Sequence, residues 1–239
     1  MTRVVLALSP HLDDAVFSAG GGLAARAEAG WRVVVATLFT GGVDAPKGFA
    51  LACQLDKGLG PEIDYMALRR GEDEAACAAL GLHAVHLPLL EAPHRDYHSA
   101  AELFRAPHAD DPAREALGPA LAELIEAHGP DEVWAPRALG GHVDHVLVHR
   151  ATRASASAAR LCWWTDWPYA DRPAPADPES PTVAALAWED EALSAAARTR
   201  KADACAAYGS QLGFQFGGEA AMRARVRAMA AERYATARA

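Results

Sequence analysis

The sequence predicts an α/β protein with a doubly wound, mainly parallel sheet. Short apolar runs rich in β-branched residues alternate with longer segments whose apolar residues recur at helical spacing. Most of the boundaries between these segments contain a glycine or a proline, residues that end a helix or a strand. This alternation is typical of parallel strands joined by helices that pack on both faces of the sheet.

The first part of the chain predicts three strands and two helices. A buried run ending at Ser9 leads into a helical pattern that stops at Gly30, and a second helical pattern stops at Gly81. Between them, a stretch containing glycine and proline predicts a loop long enough to have a function. The predicted elements are strands at 4–9, 32–38 and 84–87, helices at 15–29 and 65–80, and a loop at 40–62.

The second part repeats the alternation. Residues 171–181 are rich in proline, which excludes a continuous helix or a central strand, so a mobile loop or lid is expected there. The predicted elements are helices at 113–128, 143–159, 191–208 and 219–234, strands at 132–135, 161–164 and 183–188, and a loop at 209–218. We therefore expect a single Rossmann-like domain over residues 1–239. The long loops expected to border its active site are 40–62, 88–112 and 168–182.

Composition narrows the class of partner. The formal net charge is −8 and the basic residues are scattered, so neither a nucleic-acid-binding face nor a patch for anionic membranes is indicated. The N-terminal apolar run is too short for a secretory signal, and no segment approaches bilayer length. We expect a cytoplasmic protein, without membrane insertion, that acts on a small molecule. The cysteines are widely spaced and expected to be reduced, mostly buried thiols: Cys53, Cys77, Cys162 and Cys205.

Two polar clusters stand where predicted strands end and helices begin. His11-Leu12-Asp13-Asp14 follows the first strand, and His142-Val143-Asp144-His145 follows the fourth strand after a short glycine-containing loop. Doubly wound sheets often have the strand order 3-2-1-4-5, which makes the first and fourth strands neighbours, and ligands bind at the carboxyl ends of such strands. The two clusters are therefore expected on the two sides of one crevice.

Histidine and carboxylate side chains in such a crevice indicate a catalytic zinc site. Catalytic zinc usually takes three protein ligands and keeps one position for water, and His11, Asp14 and His145 supply such a set. The same ligands also hold other divalent transition metals, such as iron, cobalt or manganese. His149 is a further candidate because it lies four residues after His145, although a histidine on a polar helix face is the commoner case.

The remaining members of the clusters predict the rest of a hydrolytic site. Asp13 is suited to accept the proton of the attacking water as a general base. A protonated His142 would stabilise the tetrahedral oxyanion or protonate the leaving amine. Asp144 either orients the His142 ring or supports a metal ligand. The structural alternative for Asp13 and Asp14 is an N-cap and a first-turn acid of the following helix.

These motifs resemble those of the LmbE/PIG-L family of zinc-dependent N-deacetylases, whose members deacetylate N-acetylglucosamine-type sugars. That family has a His-Pro-Asp-Asp-Glu-type signature after the first strand and a His-x-Asp-His signature later, and both have counterparts here. The resemblance implies the same three metal ligands, with Asp13 as the base and His142 as the acid or electrostatic partner. Weaker similarities around Arg69 and Glu72, and from Lys201 onward, extend the resemblance over most of the chain.

Two positions depart from the family pattern. Leu12 stands where proline is common and Ala15 where glutamate is common, and neither is a proposed ligand. This version of the motif resembles a subgroup that includes enzymes of bacterial secondary metabolism, which act on glycosylated or aminoglycoside-like intermediates. Arg69 either contacts the substrate in the family's manner or simply pairs with Glu72 along one helix.

Two further motifs have both a structural and a functional interpretation. Gly20-Gly21-Gly22 lies inside a predicted helix, which favours close packing of that helix on the sheet over a phosphate cradle. A group of tryptophans predicts core packing more readily than a sugar-stacking platform. The group consists of Trp163, Trp164 and Trp167.

We therefore expect a zinc hydrolase that removes an N-acyl group, most simply acetyl, from an amino sugar or a glycosylated small molecule. Two histidines and a carboxylate also fit a non-haem iron oxygenase, but the jelly-roll barrel usual for that site is at odds with the alternating pattern. The other alternative is a metal- or sugar-binding protein without turnover. The presence of every expected catalytic residue argues against it.

Overall fold

Within the residues that the structure describes, seven strands form one sheet at the centre of the protein. The computed structural model describes residues 2–155, 159–171 and 186–237. The strands are β1 (Val4–Ser9), β2 (Arg32–Thr37), β3 (His83–His86), β4 (Glu132–Pro136), β5 (Arg160–Trp164), β6 (Leu186–Ala192) and β7 (Ala231–Ala237). Their order in the sheet is β3-β2-β1-β4-β5-β7-β6. The first five are parallel, whereas β7 is antiparallel to both β5 and β6. The predicted 3-2-1-4-5 order is confirmed.

Helices cover both faces of this sheet, as predicted. They are α1 (Asp14–Glu28), α2 (Gly48–Leu55), α3 (Tyr65–Ala79), α4 (Ala113–His128), α5 (Val143–Ser155), α6 (Ala195–Ala206), α7 (Gly209–Phe216) and α8 (Glu219–Ala228). Alternate residues of a strand point to opposite faces. Val5 and Ala7 of β1 pack with apolar residues of α1, α3 and α6, whereas Leu6 and Leu8 pack with those of α4 and α5. The protein therefore has one apolar core on each side of the sheet.

The elements differ from the sequence prediction at four places. Residues 40–62, predicted as a loop, contain α2, and residues 209–218, also predicted as a loop, contain α7. The helix predicted over 219–234 ends at Ala228, and its last part is β7. The helix predicted over 191–208 begins only at Ala195, because its first residues belong to β6. Residues 172–181 of the predicted loop and residues 183–185 of the strand predicted at 183–188 lie outside the described residues, whereas residues 186–188 belong to β6.

The strand β7 was predicted as part of a helix, because the local sequence pattern does not show which strands it pairs with. Its sequence, Ala-Glu-Arg-Tyr-Ala-Thr-Ala, is rich in residues that favour a helix, but it pairs with strands on both of its sides. Backbone hydrogen bonds to two neighbours outweigh a propensity of less than about 1 kcal/mol per residue.

The start of α6 is set by Ser194, whose side chain accepts a hydrogen bond from the Ala197 N–H.

A buried polar cluster ties β7 to α1. Glu232 accepts hydrogen bonds from the backbone N–H groups of Gly21 and Gly22, at 3.0 and 2.7 Å. The same carboxylate pairs with the buried ammonium of Lys201 and accepts a hydrogen bond from the Tyr234 hydroxyl. The glycine triplet therefore permits close packing of α1 on the sheet, as predicted, and its N–H groups bind a carboxylate of the protein itself.

The tryptophan and cysteine predictions are also confirmed. Trp163 and Trp164 are buried in the two cores, and Trp167 packs against Phe17 and Phe216. The four cysteines are free, three of them buried and Cys53 half-buried. None of the helices in the described part of the chain combines the length and hydrophobicity needed to cross a bilayer.

Candidate active site

The carboxyl ends of β1 and β4 lie side by side and carry the two polar clusters. β1 pairs with β4 in parallel, with Leu6 opposite Val133 and Ala7 opposite Trp134. Parallel pairing places the residues that follow each strand at the same edge of the sheet. The expectation that the two clusters face one crevice is therefore confirmed.

The first cluster forms a tight turn between β1 and α1. The His11 N–H donates a hydrogen bond to Asp14 Oδ2 at 2.9 Å, and the Ala15 N–H donates one to Ser9 Oγ at 3.1 Å. Asp13 has a φ of 150°, a conformation that is strained for any residue with a Cβ. Asp13 occupies the N-cap position of α1, but its side chain caps no N–H group. A helix-capping role therefore does not explain Asp13.

The second cluster follows a glycine turn after β4. Gly140 and Gly141 have φ angles of 92° and 71°, which glycine adopts without strain. A side chain on Gly140 would meet Tyr169, because its Cβ would lie 2.8 Å from the Cβ of that residue. The turn delivers His142 to the crevice and starts α5, so that Asp144 and His145 are buried in its first turn.

Three side chains from the two clusters converge on one point. Asp14 Oδ2 lies 3.1 Å from His11 Nδ1 and also 3.1 Å from His145 Nε2. These atoms belong to the residue types that hold catalytic zinc. His142 is close by, since one ligand atom each from His11, His142 and His145 lie within 4.8 Å of one another. The structure thus brings the three predicted ligands together, with His142 beside them.

The polar environment of this point fits a metal cation. His145 Nε2 is buried, and although Asp14 Oδ2 lies 3.1 Å from it, the two atoms are not aligned as a hydrogen bond. Burial lowers the pKa of His145, but the Asp14 and Asp166 carboxylates outweigh it and raise the pKa to about 9. His11 shows the same balance between burial and the carboxylates of Asp14 and Asp144, and its pKa is also raised. The carboxylates therefore favour positive charge at this place, either protons or a metal ion.

Two further carboxylates support the histidines from behind. Asp144 Oδ2 lies 2.9 Å from His11 Nε2, and Asp166 Oδ1 lies 2.7 Å from His145 Nδ1. A carboxylate on the second ring nitrogen fixes the orientation of a metal-binding histidine. Of the two roles considered for Asp144, its side chain takes that of supporting a predicted ligand. Arg95 in turn donates to Asp144 Oδ1 at 2.6 Å and pairs with Asp111 through two hydrogen bonds.

Sequence reasoning missed Asp166 and Arg95. Asp166 follows the buried strand β5, next to β4 in the sheet, and a polar residue at that strand end was a signal that could have found it. Arg95 lies in the long connection between β3 and α4, and only its folded contacts reveal its place. The connection was predicted as a loop at 88–112, and it contains two single-turn 3₁₀ helices.

Asp13 and His142 line the same cavity beside the predicted ligands. Burial, reinforced by the Asp14 carboxylate, raises the pKa of Asp13 to about 8. Burial and the neighbouring His11 lower the pKa of His142 to about 3, so this ring is neutral. His142 Nδ1 accepts a hydrogen bond from the Asp144 N–H at 3.2 Å, which leaves the ring hydrogen on Nε2. His142 is therefore a neutral donor rather than the protonated acid considered from the sequence.

Arg69 is buried at the edge of the cavity. Its guanidinium donates to the Leu12 carbonyl at 3.1 Å, pairs with Glu91 and lies 3.9 Å from Asp13 Oδ2. Glu72 instead accepts hydrogen bonds from Ser210, at 2.6 and 2.7 Å. Among the described contacts, Arg69 therefore pairs with Glu91, and the pairing with Glu72, one of the two alternatives for Arg69, is not present.

His149 lies apart from the predicted ligands. Its Nδ1 is 2.9 Å from the Pro136 carbonyl oxygen, and its ring packs against Trp163 at 4.3 Å between centroids. This is the environment of a histidine that connects α5 to β4 and β5.

The sequence was compared with known proteins, and it matches a family model over residues 6–156. The family is PIG-L, described as GlcNAc-PI de-N-acetylase. The chain belongs to the PIG-L family. Among its PIG-L relatives, 2'-N-acetylparomamine deacetylase of Streptomyces fradiae is 38% identical over 169 residues, which are 69% of this chain and 57% of that protein. The chain thus spans somewhat more than half the length of that curated relative.

Solved structures of two deacetylases are similar along nearly the whole chain. The zinc-inhibited form of teicoplanin deacetylase Orf2 has a TM-score of 0.83 at 26% identity, covering 98% of this chain and 97% of that one. The A40926 pseudoaglycone deacetylase Dbv21 has a TM-score of 0.77 at 30% identity, covering 99% and 96%. The PIG-L fold therefore accounts for the sheet, its helices and the position of the crevice.

Proposed function

We propose that this chain is a zinc-dependent N-deacetylase that acts on an N-acetylated amino sugar or on a glycosylated small molecule. The observation that carries the proposal is the position of Asp14 Oδ2, 3.1 Å from a nitrogen of His11 and 3.1 Å from one of His145. Membership of the PIG-L family and the activities named for its relatives support it. We further propose that residues 1–239 form a single domain; the cytoplasmic location stays a prediction.

In this proposal, His11, Asp14 and His145 hold the metal. Zinc bound there would act as a Lewis acid that polarises the acyl carbonyl and activates water. Asp144 and Asp166 orient the two histidine rings from their outer nitrogens. Both histidines must be neutral at the nitrogen that binds the ion, so zinc would replace the protons that the surrounding carboxylates otherwise favour.

Asp13 transfers the proton, and His142 stabilises the negative charge that develops on the carbonyl oxygen. The positive charge of a bound zinc ion would favour the ionised form of Asp13. The Asp13 carboxylate then accepts a proton from the water as the water oxygen bonds to the acyl carbon. The Nε2–H of the neutral His142 donates a hydrogen bond to the carbonyl oxygen as negative charge develops on it. The C–N bond then breaks, and the proton held by Asp13 passes to the leaving amine nitrogen. The products are acetate and the free amino sugar.

Arg69 is proposed to act on the substrate side of Asp13. Its guanidinium is fixed by Glu91 and the Leu12 carbonyl, and it lies next to Asp13 in the cavity wall. In this position it keeps Asp13 oriented toward the cavity and contributes positive charge where a sugar hydroxyl or carbonyl would bind. The alternative of a non-haem iron oxygenase is disfavoured, because that site usually lies in a jelly-roll barrel, whereas this chain has the mainly parallel sheet of the PIG-L family.

A deacetylation assay tests the proposed function. The purified protein, loaded with zinc, is incubated with a panel of N-acetylated amino sugars and glycosides while acetate and free amine are measured. We expect release that a chelator abolishes. Asp13→Asn should retain the metal and lose at least about 100-fold in kcat, whereas His145→Ala should lose metal affinity. Asp110→Asn, a change at an exposed carboxylate, should behave like the wild type.

Two outcomes of this assay would contradict the proposal. Turnover that survives both Asp13→Asn and His145→Ala would exclude the assigned site. Tight zinc binding without acetate release from any member of the panel would favour a metal- or sugar-binding protein without turnover.

A further inference from the structure

One side of the cavity is formed by a segment that has neither an α-helix nor a β-strand. This segment, residues 91–111, is called the anchored segment here, and it contains two single-turn 3₁₀ helices. Its side chains that line the cavity include Pro93, Leu103 and Phe104. The Phe104 ring lies 5.4 Å from the ring of His142. The shape of the cavity therefore depends on how the anchored segment is held in place.

Two buried apolar residues of the anchored segment pack on the second polar motif. Ala92 and Tyr97 are completely buried and form a small cluster with Val143, separate from the two cores of the sheet. Val143 lies between His142 and Asp144 in the chain, so this cluster rests on the candidate site. A segment with few buried apolar contacts has little stability of its own. Its order therefore depends on the site against which it packs.

Polar contacts join the anchored segment to the same motif through Asp144. This carboxylate is completely buried. Its Oδ2 lies 2.9 Å from His11 Nε2 and accepts a hydrogen bond from the Ala92 N–H at 3.1 Å. Its Oδ1 accepts a hydrogen bond from Arg95 at 2.6 Å. One carboxylate thus contacts both a proposed zinc ligand and two residues of the anchored segment.

Arg95 connects both ends of the anchored segment to Asp144. Its Nη2 donates to Asp144 and also to Asp111 Oδ2 at 3.0 Å, and its Nε donates to Asp111 Oδ1 at 2.9 Å. The Tyr97 hydroxyl donates to the same Asp111 carboxylate at 2.8 Å. A planar guanidinium with five N–H donors holds two carboxylates in fixed directions, whereas an ammonium group acts as a point charge.

We propose that Arg95 is a positioning residue that couples the proposed metal site to one wall of the cavity. Zinc at His11 stabilises the anchored segment, and the ordered segment holds His11, through Asp144, in the orientation that binds zinc. The inference rests on the proposed function, because it takes His11 as a zinc ligand. Coupling between two sites is reciprocal, so each strengthens the other by the same factor, typically about 5- to 150-fold.

Hydrogen exchange tests this coupling without requiring turnover. Exchange of the backbone amides is followed by mass spectrometry in peptides that cover residues 91–111, before and after the addition of zinc alone. In the wild type, we expect zinc to slow this exchange by at least about fivefold. Peptides from α8, none of whose residues lines the cavity, report any general stabilisation by zinc.

Arg95→Lys keeps the positive charge but removes the fork of donors. We expect this variant to bind zinc at least about fivefold less tightly, measured by competition with a chelator, and zinc should no longer slow exchange in the anchored segment. Arg105→Lys is the matched control, because Arg105 lies in the same segment but is exposed. The same chemical change should there leave both the zinc affinity and the exchange unchanged.

Tyr97→Phe is a second variant that keeps the buried ring. It removes only the hydroxyl that donates to Asp111 and accepts a hydrogen bond from the His108 N–H at 3.0 Å. We expect it to weaken zinc binding by about threefold, the effect of one hydrogen bond. If Arg95→Lys does not fold, the same measurements on Tyr97→Phe decide the proposal.

Two results would overturn the coupling while leaving the proposed zinc site in place. One is a zinc affinity of Arg95→Lys equal to that of the wild type. The other is faster exchange in Arg95→Lys by the same factor with and without zinc, which is what a purely structural role of Arg95 would produce. A wild-type protein that binds no zinc would instead overturn both this inference and the proposed function.

Discussion

Asp166 supports His145 from the end of the neighbouring strand. Its carboxylate lies 2.7 Å from His145 Nδ1 and also accepts a hydrogen bond from the Leu139 N–H at 2.9 Å. Carboxylates in this position typically contribute 10- to 100-fold to metal affinity. We expect Asp166→Ala to weaken zinc binding by about that factor, measured by competition with a chromophoric chelator. Asp166→Asn should lose less, because an amide oxygen still accepts the hydrogen bond.

A matched control separates this effect from a general loss of negative charge. Asp110→Asn removes an exposed carboxylate and should leave the affinity unchanged. Unchanged affinity in Asp166→Ala would show that His145 either needs no orienting partner or is not a metal ligand.

At the scale of single elements, the packing of α1 on the sheet depends on its glycines. A side chain on Gly22 would overlap the hydroxyl of Tyr234, which is buried and hydrogen-bonded to Glu232. Overpacking of a well-filled core costs about 1–3 kcal/mol. We expect Gly22→Ala to lower the free energy of unfolding by about that amount, measured by denaturant titration.

A second glycine provides the comparison. Gly71 lies in α3 with open space around its Cα, so Gly71→Ala meets no neighbour and gains helix propensity. That variant should be as stable as the wild type or more stable, by up to about 1 kcal/mol. Equal stability changes in the two variants would mean that the Tyr234 contact is unimportant.

Elements were predictable where the pattern was local and sustained. The hydrophobic runs of β1, β2 and β4 and the helices α1, α3 and α4 were found, with ends within a few residues of the observed ones. The short helix α2 was missed because its apolar face lines a cavity, and a glycine- and proline-rich surrounding sequence suggested a loop. The strand β7 was missed because pairing with β5 and β6, which the local sequence does not show, decides its conformation.

For the whole molecule, the buried ion pairs predict a dependence of stability on pH. Burial alone would raise the pKa of Asp111, but hydrogen bonds from Arg95 and from the Ala113 N–H outweigh it and hold the pKa below its usual range. A carboxylate with a lowered pKa stabilises the folded state above its unfolded pKa, about 3.9, and this contribution is lost as the pH falls through the folded value.

We therefore expect the difference in unfolding free energy between the wild type and Asp111→Asn to be largest near neutral pH and to shrink as the pH falls below about 4. Chemical denaturation at a series of pH values measures it. Asp110→Asn, at the exposed neighbouring position, should show no such trend. A difference that stays constant down to pH 3 would mean that the Arg95 contact does not depend on the charge of Asp111.

The candidate site was predictable to a similar degree as the fold. The positions of His11, Asp14 and His145 followed from two motifs and the usual order of parallel strands, because that order alone makes distant segments neighbours. The roles of Asp166 and Arg95 did not follow, because each acts through a hydrogen bond between segments that the sequence keeps apart.

The parallel pairing of β1 with β4 affects when the proposed metal site can exist during synthesis. A growing chain presents His11 and Asp14 to the solvent long before His145 has left the ribosome. Two donors on an unfolded segment hold zinc far less tightly than a complete set. Metal loading is therefore expected to wait until β4 and the first turn of α5 have joined the sheet, so that acquisition of the ion marks a late stage of folding.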